Sequence, residues 1–563
     1  MKLHACALAV TGLLVLPAGA QEKVDLLAIH RIKEEAFRSS KVMDHLFWLT
    51  DVNGPRLAAS PGYRAAADWS VRALKEWGIG SARLEKWGTF GRGWSLTRFE
   101  AHLMEPAYAP LAGVPKAWSG GTDGRVTGEV VSAPFLTPAD KGVMLELEKL
   151  PNKIRAYAEE HKGKLRGKIV LITAPRELAP PTQAASQRYD ETSLASIAAA
   201  PDPASLPRVE FPLMRMPVEP EKRELYAWIS SEITVDFYAR QGKILDELNA
   251  FLRDEGILAI LSGDERGDGG IAFSDSRGVG PRRPYSVAPP PMVVLPPESY
   301  DRICRLVEKK IPVKVELDVE VKFNEPPDGL NVVAEIPGGK KKDEVVMLGA
   351  HLDSWHGGTG ATDNAAGCAV ALETMRILKT LGLPMDRTVR LALWDAEEQG
   401  HWGSRGYVKR HFGDPVTMEL KPEHAKVAGY FNVDNGTGKI RGVYLQGNDM
   451  ARPIFAAWLE PFQDLGADTL AIDHTGGTDH QSFDAVGLPG FQFIQDPLDY
   501  SSRTHHSNLD VYDHLVPGDL MQASAILASF VYNAAMRAEM LPRQPLPKPL
   551  PKAQQQPVGD AAR

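Results

Sequence analysis

The sequence predicts an α/β fold: a mostly parallel, doubly wound sheet with helices on both faces, interrupted by an inserted β-rich domain. Three observations predict it. From about residue 325 short apolar runs alternate with helical stretches, the order in which β-α-β units build a parallel sheet. Between about 125 and 310 the pattern changes to short β-like runs around a Pro-, Ala- and Ser-rich stretch near 175–223. The chain has 563 residues, 43% hydrophobic and 24% charged, enough for more than one buried core. Such a composition excludes a wholly disordered chain, a collagen and a disulfide miniprotein. A net charge of −8 argues against an electrostatic grip on nucleic acid.

In chain order, Met1–Ala20 reads as a secretory signal: Lys2, an apolar stretch from Ala5 to Leu16, then Ala18-Gly19-Ala20. The apolar stretch is well short of the ~20 residues of a membrane span, so export to the periplasm or exterior is expected, with no spanning helix. Cleavage would remove Cys6 and leave Cys304 and Cys368, too few for a disulfide framework. Residues 21–122 form the first part of the main domain, with a helix over Ala65–Leu74 stopped at Gly78-Ile79-Gly80. Residues 123–318 form the insert, with strands at Arg125–Val131 and Lys168–Ile172. Residues 319–541 form the rest of the main domain, and 542–563 a Pro-rich disordered tail. Within the main domain the strands are Glu344–Ala350, Thr388–Trp394, Val427–Val433 and Gly490–Ile494, with helices over Ala365–Leu378 and Leu520–Met536.

The chemistry sits just past those strands. The first leads into His351-Leu352-Asp353, with Asp363 twelve residues after His351; the second into Asp395-Ala396-Glu397-Glu398; the third into Asp434; the last, through a loop, into His505-His506 and Asp510. In open α/β sheets ligands bind outside the carboxyl ends of the strands, so these groups point at one crevice. His nitrogen and carboxylate oxygen are ordinary zinc ligands. Asp353, two residues from His351, is placed to hold that ring's other N–H. Of the adjacent Glu397 and Glu398, one can ligate while the other takes a proton from water. Singly, His351 reads as a hydrogen-bonded histidine, Asp363 as a helix N-cap and the Glu pair as solvated surface. Together they make a metal site, and the number of ligands suggests two ions sharing a carboxylate. Ser404 and the two cysteines lack the setting of a nucleophile, and Gly357-Gly358-Thr359-Gly360 reads as close backbone packing beside the metals.

The segments Gly349–Trp355, Gly360–Gly367, Trp394–Gly400, Phe431–Asp434 and His506–Asp510 resemble those of the M28 family of zinc exopeptidases. Within it, Asp434–Thr437, Gly477-Thr478-Asp479 and the double histidine are most similar to the plasma glutamate carboxypeptidase branch, known for hydrolysing dipeptides. The resemblance implies a zinc exopeptidase fold with a protease-associated insert. It implies two Zn²⁺: His351 and Asp434 on one, Glu398 and His506 on the other, Asp363 bridging, and Glu397 as general base. His506 rather than His505 is the ligand because the family spaces that histidine four residues before an acidic residue, here Asp510. His505 then takes the place where some relatives put a tyrosine that touches the tetrahedral intermediate. Asp479 and His480 border a substrate pocket in this reading.

The expected activity is therefore an exported dinuclear zinc aminopeptidase or dipeptidase acting on unblocked peptides. A single-zinc glutaminyl cyclase and a non-catalytic receptor-like relative are the alternatives. Acidic groups near the cleft favour a substrate's free amine, while His480, Arg503 or Lys409 are candidates to take a carboxylate. The insert is compatible with a homodimer.

Overall fold

The computed structural model describes residues 22–549 apart from 138–139, 141–142, 178–181, 183, 207–230, 265, 274, 276–286 and 326–327. The expected export signal and residues 550–563 lie outside the described residues. No helix among the described residues is long and apolar enough to cross a membrane.

Two eight-stranded sheets organise the chain. The first runs, edge to edge, Arg83–Thr89, Asp328–Ile336, Arg387–Trp394, Lys341–His351, Val427–Asn432, Gly490–Gln495, Ile440–Tyr444, Thr469–Ala471. Its four central strands are parallel. Antiparallel pairings join them to Asp328–Ile336 on one side and Ile440–Tyr444 on the other, and Arg83–Thr89 is antiparallel too. The sheet is thus mixed, parallel through its centre as expected and antiparallel where the flanking strands join it. The central runs are short and apolar because both faces are covered. Val346, Leu348 and Ala350 pack in one cluster with the helices Ala366–Leu381 and Pro517–Met536. Val345 and Met347 face the other way, with Trp394, Tyr430 and the helix Trp402–His411. That alternation is the period of two inherent in a strand.

The second sheet runs Ala109–Pro110, Gly93–Glu105, Lys314–Asn324, Val126–Leu136, Ile169–Thr173, Ala259–Gly263, Met292–Leu295, Val114–Pro115, and it too is mixed. Gly93–Glu105 pairs antiparallel with Lys314–Asn324 along its length, so this sheet begins before residue 123 and ends after 318, the boundaries read from the sequence. The helices Leu150–His161, Ser231–Asp254 and Pro297–Glu308 cover it.

The tail expected to be disordered from 542 is held as far as it is described. Leu541 is buried, Arg543 Nη2 donates to His424 O at 3.0 Å and Gln544 Nε2 to Gln446 O at 2.8 Å. A guanidinium and an amide tethered to carbonyls offset the low hydrophobicity that suggested disorder. Cys304 and Cys368 are both buried and unpaired with each other.

Candidate metal centre

Parallel register brings the first group together. His351 stands opposite Trp394, and Gly349 opposite Asn432. Chains leaving these strands at one level therefore present His351, Glu397 and Glu398, and Asp434 side by side. Asp363 comes from the turn Ala361–Ala365, three residues before the helix that starts at Ala366; it is not that helix's cap. His351 Nε2 lies 3.3 Å from Asp363 Oδ1, 3.4 Å from Asp434 Oδ1 and 4.0 Å from Glu397 Oε2. All four side chains are buried.

Asp353 does more than the sequence suggested. His351 Nδ1 faces its backbone carbonyl at 3.0 Å, while its carboxylate accepts the Glu397 N–H at 3.0 Å and the Glu398 N–H at 3.3 Å. One residue thus orients the imidazole and both glutamates, the outer support that fixes ligand direction in metal sites.

The second group lies on a loop. His506 Nε2 is 2.9 Å from Glu398 Oε2 and 3.3 Å from Asp363 Oδ2, and His505 Nε2 is 3.9 Å from the same Asp363 oxygen. The two histidine rings lie 3.7 Å apart. Asp510 accepts from Thr362 N at 2.6 Å, Thr362 Oγ1 at 2.8 Å and Asp363 N at 3.2 Å, so it sets the Asp363 turn. Segments around the second sheet grip this loop: Gln187 bridges Leu498, Phe273 bridges Ser507, and Arg188 reaches buried Asp496 at 2.8 Å.

The residues present are of the kind that hold a metal ion. His351, Asp363 and Asp434 offer ligand atoms within 4.8 Å of one another, and so do Asp363, His505 and His506. Asp363 Oδ2, Asp434 Oδ1 and Glu398 Oε1 are buried and receive no hydrogen bond among the described residues, a costly state for carboxylates unless a cation meets them. The field of the centre calls for positive charge. Although burial opposes it, Asp434 and Glu397 drive His351 well above its usual range, and Glu398 with Asp363 drives His506 up to about 10. Burial pushes Glu397 well above the carboxylate range, with Asp434 and Asp479 adding to it, and takes Glu398 to about 8.

Asp479 and His480 are fully buried. Asp479 has no hydrogen-bonded carboxylate oxygen among the described residues, and burial takes it to about 8. His480 Nε2 is engaged by Thr475 O and Gln446 Nε2, both at 2.9 Å. Lys409 pairs with Asp414 at 3.0 Å on the surface, and Ser404 is buried with its hydroxyl on Ser482. The glycine stretch packs closely, as read: a Cβ on Gly358 would meet Asp510 O at 2.6 Å.

Three residues escaped the sequence reading. Arg56 is fully buried and donates to the carbonyls of Leu352, Thr359 and Gly360 at 2.7–2.8 Å, clamping both arms of the His351–Asp363 loop. Tyr500 lies against His505 with ring centroids 4.9 Å apart and the planes tilted by 47°, its phenol raised well above normal by burial and then by Asp363 and Asp434. His401 places Nε2 3.1 Å from Glu397 Oε1. No local motif marks any of them; only Arg56, an arginine beside the Asn53-Gly54-Pro55 turn, offered even a compositional hint.

Residues 331–531 match Peptidase family M28. The chain is 32% identical over 253 residues to carboxypeptidase Q of Homo sapiens, 45% of this chain and 51% of that protein; it spans about half the length of the curated relatives it matches. A crystal structure of a Peptidase M28 precursor from Shewanella amazonensis SB2B shares the fold with a TM-score of 0.62 at 24% identity, over 92% of this chain and 98% of that one. BSAP, a zinc aminopeptidase from Bacillus subtilis, aligns with a TM-score of 0.51 at 18% identity, over 89% of this chain and 96% of that one.

Proposed function

We propose that this chain, which carries an M28 peptidase domain, is an exported dinuclear zinc exopeptidase that hydrolyses unblocked peptides as an aminopeptidase or dipeptidase. The observation that carries the reading is Asp363, whose Oδ1 faces His351 and Oδ2 faces His506, each at 3.3 Å. A carboxylate shared between two histidine–carboxylate groups suits two ions, with His351 and Asp434 on one side and Glu398 and His506 on the other. Zinc, when bound there, supplies Lewis acidity and lowers the pKa of water toward ~7.

The chain's own residues do the rest. Glu397 accepts the proton of the attacking water and returns it to the leaving amine; burial, with Asp434 beside it, raises its proton affinity above that of an ordinary carboxylate. Asp353 keeps the Glu397 backbone fixed while this happens. His505, half-exposed beside the Asp363 carboxylate, faces the mouth of the centre and is assigned to the developing oxyanion. The buried carboxylates favour a substrate's free amine. The name of the carboxypeptidase Q relatives points instead to the other end of the peptide, and a dipeptide satisfies both. Two complete groups of ligands speak against a single-zinc cyclase. The second sheet is assigned as a protease-associated-type insert, and Met1–Ala20 as the export signal.

The test is mass spectrometry of a peptide pool (free, N-acetylated, C-amidated, dipeptide and N-terminal Gln) after incubation with purified protein. Loss of N-terminal residues from free peptides, or cleavage confined to dipeptides, supports the reading and tells the two specificities apart. Glu397→Gln is expected to lower the rate by ~10²–10⁴-fold with zinc content retained. Ammonia loss from the Gln peptide alone would make the protein a cyclase, and no product from zinc-loaded protein would overturn the peptidase assignment.

A further inference from the structure

Beside Glu397 lies a histidine that neither the ligand set nor the mechanism above uses. His401 is buried, immediately ahead of the helix Trp402–His411, with φ 57° and ψ 34°. A non-glycine residue in the left-handed region is uncommon and persists only where its surroundings over-determine it; such residues gather at active sites. Two contacts do so here. The His401 N–H donates to Glu397 O at 2.9 Å, closing a turn over the glutamate pair, and the imidazole Nε2 sits 3.1 Å from Glu397 Oε1. The other carboxylate oxygen, Oε2, is the one that lies 4.0 Å from His351 Nε2. The ring is neutral: burial, with Arg405 and His480 nearby, takes it down to about 3. It therefore adds no charge to the centre and has a single proton to give, for which Glu397 Oε1 and the Gly477 backbone are the acceptors at hand.

We propose that His401 is a positioning residue for the general base: its Nε2 holds Glu397 Oε1, so that Oε2 is the oxygen presented to the attacking water. A carboxylate free to rotate about its last torsion offers either oxygen; pinning one removes that freedom and keeps the other aimed at the metal cluster. The inference rests on the reading of Glu397 as the base.

The experiment compares zinc-loaded full-length wild type with His401→Leu, His401→Gln and Glu397→Gln on the peptide cleaved fastest in the pool. The Leu and Gln variants carry the same backbone demand at a left-handed position, so a difference between them reports the side-chain donor and not the fold. His401→Leu is expected to lower kcat by ~10–100-fold, the weight of a charge-assisted hydrogen bond, with KM and zinc content unchanged. His401→Gln, whose side-chain amide can replace the donor, is expected to recover most of that loss. Independently of turnover, the imidazole N–H proton resonance of His401 should shift in Glu397→Gln. Wild-type kcat in His401→Leu, equal impairment of both His401 variants, or zinc loss in step with kcat would each overturn the proposal alone. A fully active Glu397→Gln would overturn the base assignment and the proposal with it.

Discussion

The two groups of residues in the candidate metal centre, His351 with Asp434 and His506 with Glu398, are built differently. His351 is at the end of a central strand, 1% exposed, with its ring held by the next carbonyl but one. His506 is on a loop, its side chain 21% exposed, with φ 66°, and its loop is gripped by the segments around Gln187, Arg188 and Phe273. Thr362 ties the two, its hydroxyl meeting Thr504 at 2.8 Å and Asp510 at 2.8 Å. Backbone register thus fixes the first half, whereas the second is assembled from side chains and segments hundreds of residues away. A strand end in a buried sheet moves only if the sheet does; a clasped loop moves when its clasp weakens.

The sharpest way to break this comparison is to remove what the halves share. Asp363→Ala should empty both together, so that bound zinc measured by inductively coupled plasma mass spectrometry falls at both sites and the rate drops by roughly 10³-fold or more, since a two-metal clamp loses its bridge. Loss of a single ion would show that the halves are independent. A finer cut is Arg188→Ala. Arg188 joins Asp496 and Asp519 at 2.8 and 2.7 Å from outside the catalytic sheet, and Asp496 begins the stretch that leads to His506. Supporting residues of this kind typically weigh ~10–100-fold in metal affinity. Because Arg188 is half-exposed, a loss near ~10-fold is expected, confined to the weaker of two zinc-binding steps in a titration. Equal weakening of both steps would contradict the separation of the halves.

The smallest effect on chemistry belongs to a network beneath the first half. Glu373, on the helix that follows Asp363, is buried and bonded to His45 at 3.0 Å, to Arg376 at 2.8 Å and to Lys41 N at 3.0 Å. Burial would raise it, but His45 and Arg376 hold it down at about 2 from an ordinary 4.5. A depressed carboxylate contributes stability that is full above ~4.5 and fades as pH falls toward 2, of order 3 kcal/mol here. Glu373→Gln should therefore lower the urea midpoint at pH 7 while the difference from wild type shrinks as pH falls from 4.5 toward 2, with zinc content unchanged at neutral pH. A difference independent of pH would show that packing rather than charge is at stake.

Much of this was legible in the chain itself. The strands Glu344–Ala350, Thr388–Trp394, Val427–Val433 and Gly490–Ile494 announce themselves as short apolar runs, and all lie within or largely within strands of the structure. The acidic and histidine residues that follow them meet at one end of the sheet because parallel strands deliver their carboxyl ends together. Asp353 meets the His351 ring through its carbonyl while its carboxylate takes the Glu397 and Glu398 N–H groups; which of the two turns to the ring depends on a backbone path that no spacing reveals. The pairing of Gly93–Glu105 with Lys314–Asn324, across more than two hundred residues, left no trace in local pattern.

By itself, then, the sequence determined what is periodic or contiguous: apolar runs, helix stops, the strand-end residues of the first half, and the adjacent glutamates whose neighbours in the chain are also their neighbours in space. Only the tertiary structure decided the long-range partners: Arg56 under the His351–Asp363 loop, Arg188 on Asp496, the grip on the His506 loop, and His401 turned onto Glu397. Those contacts are set by the path of the whole backbone, which folds distant residues to within hydrogen-bonding distance without requiring any pattern between them.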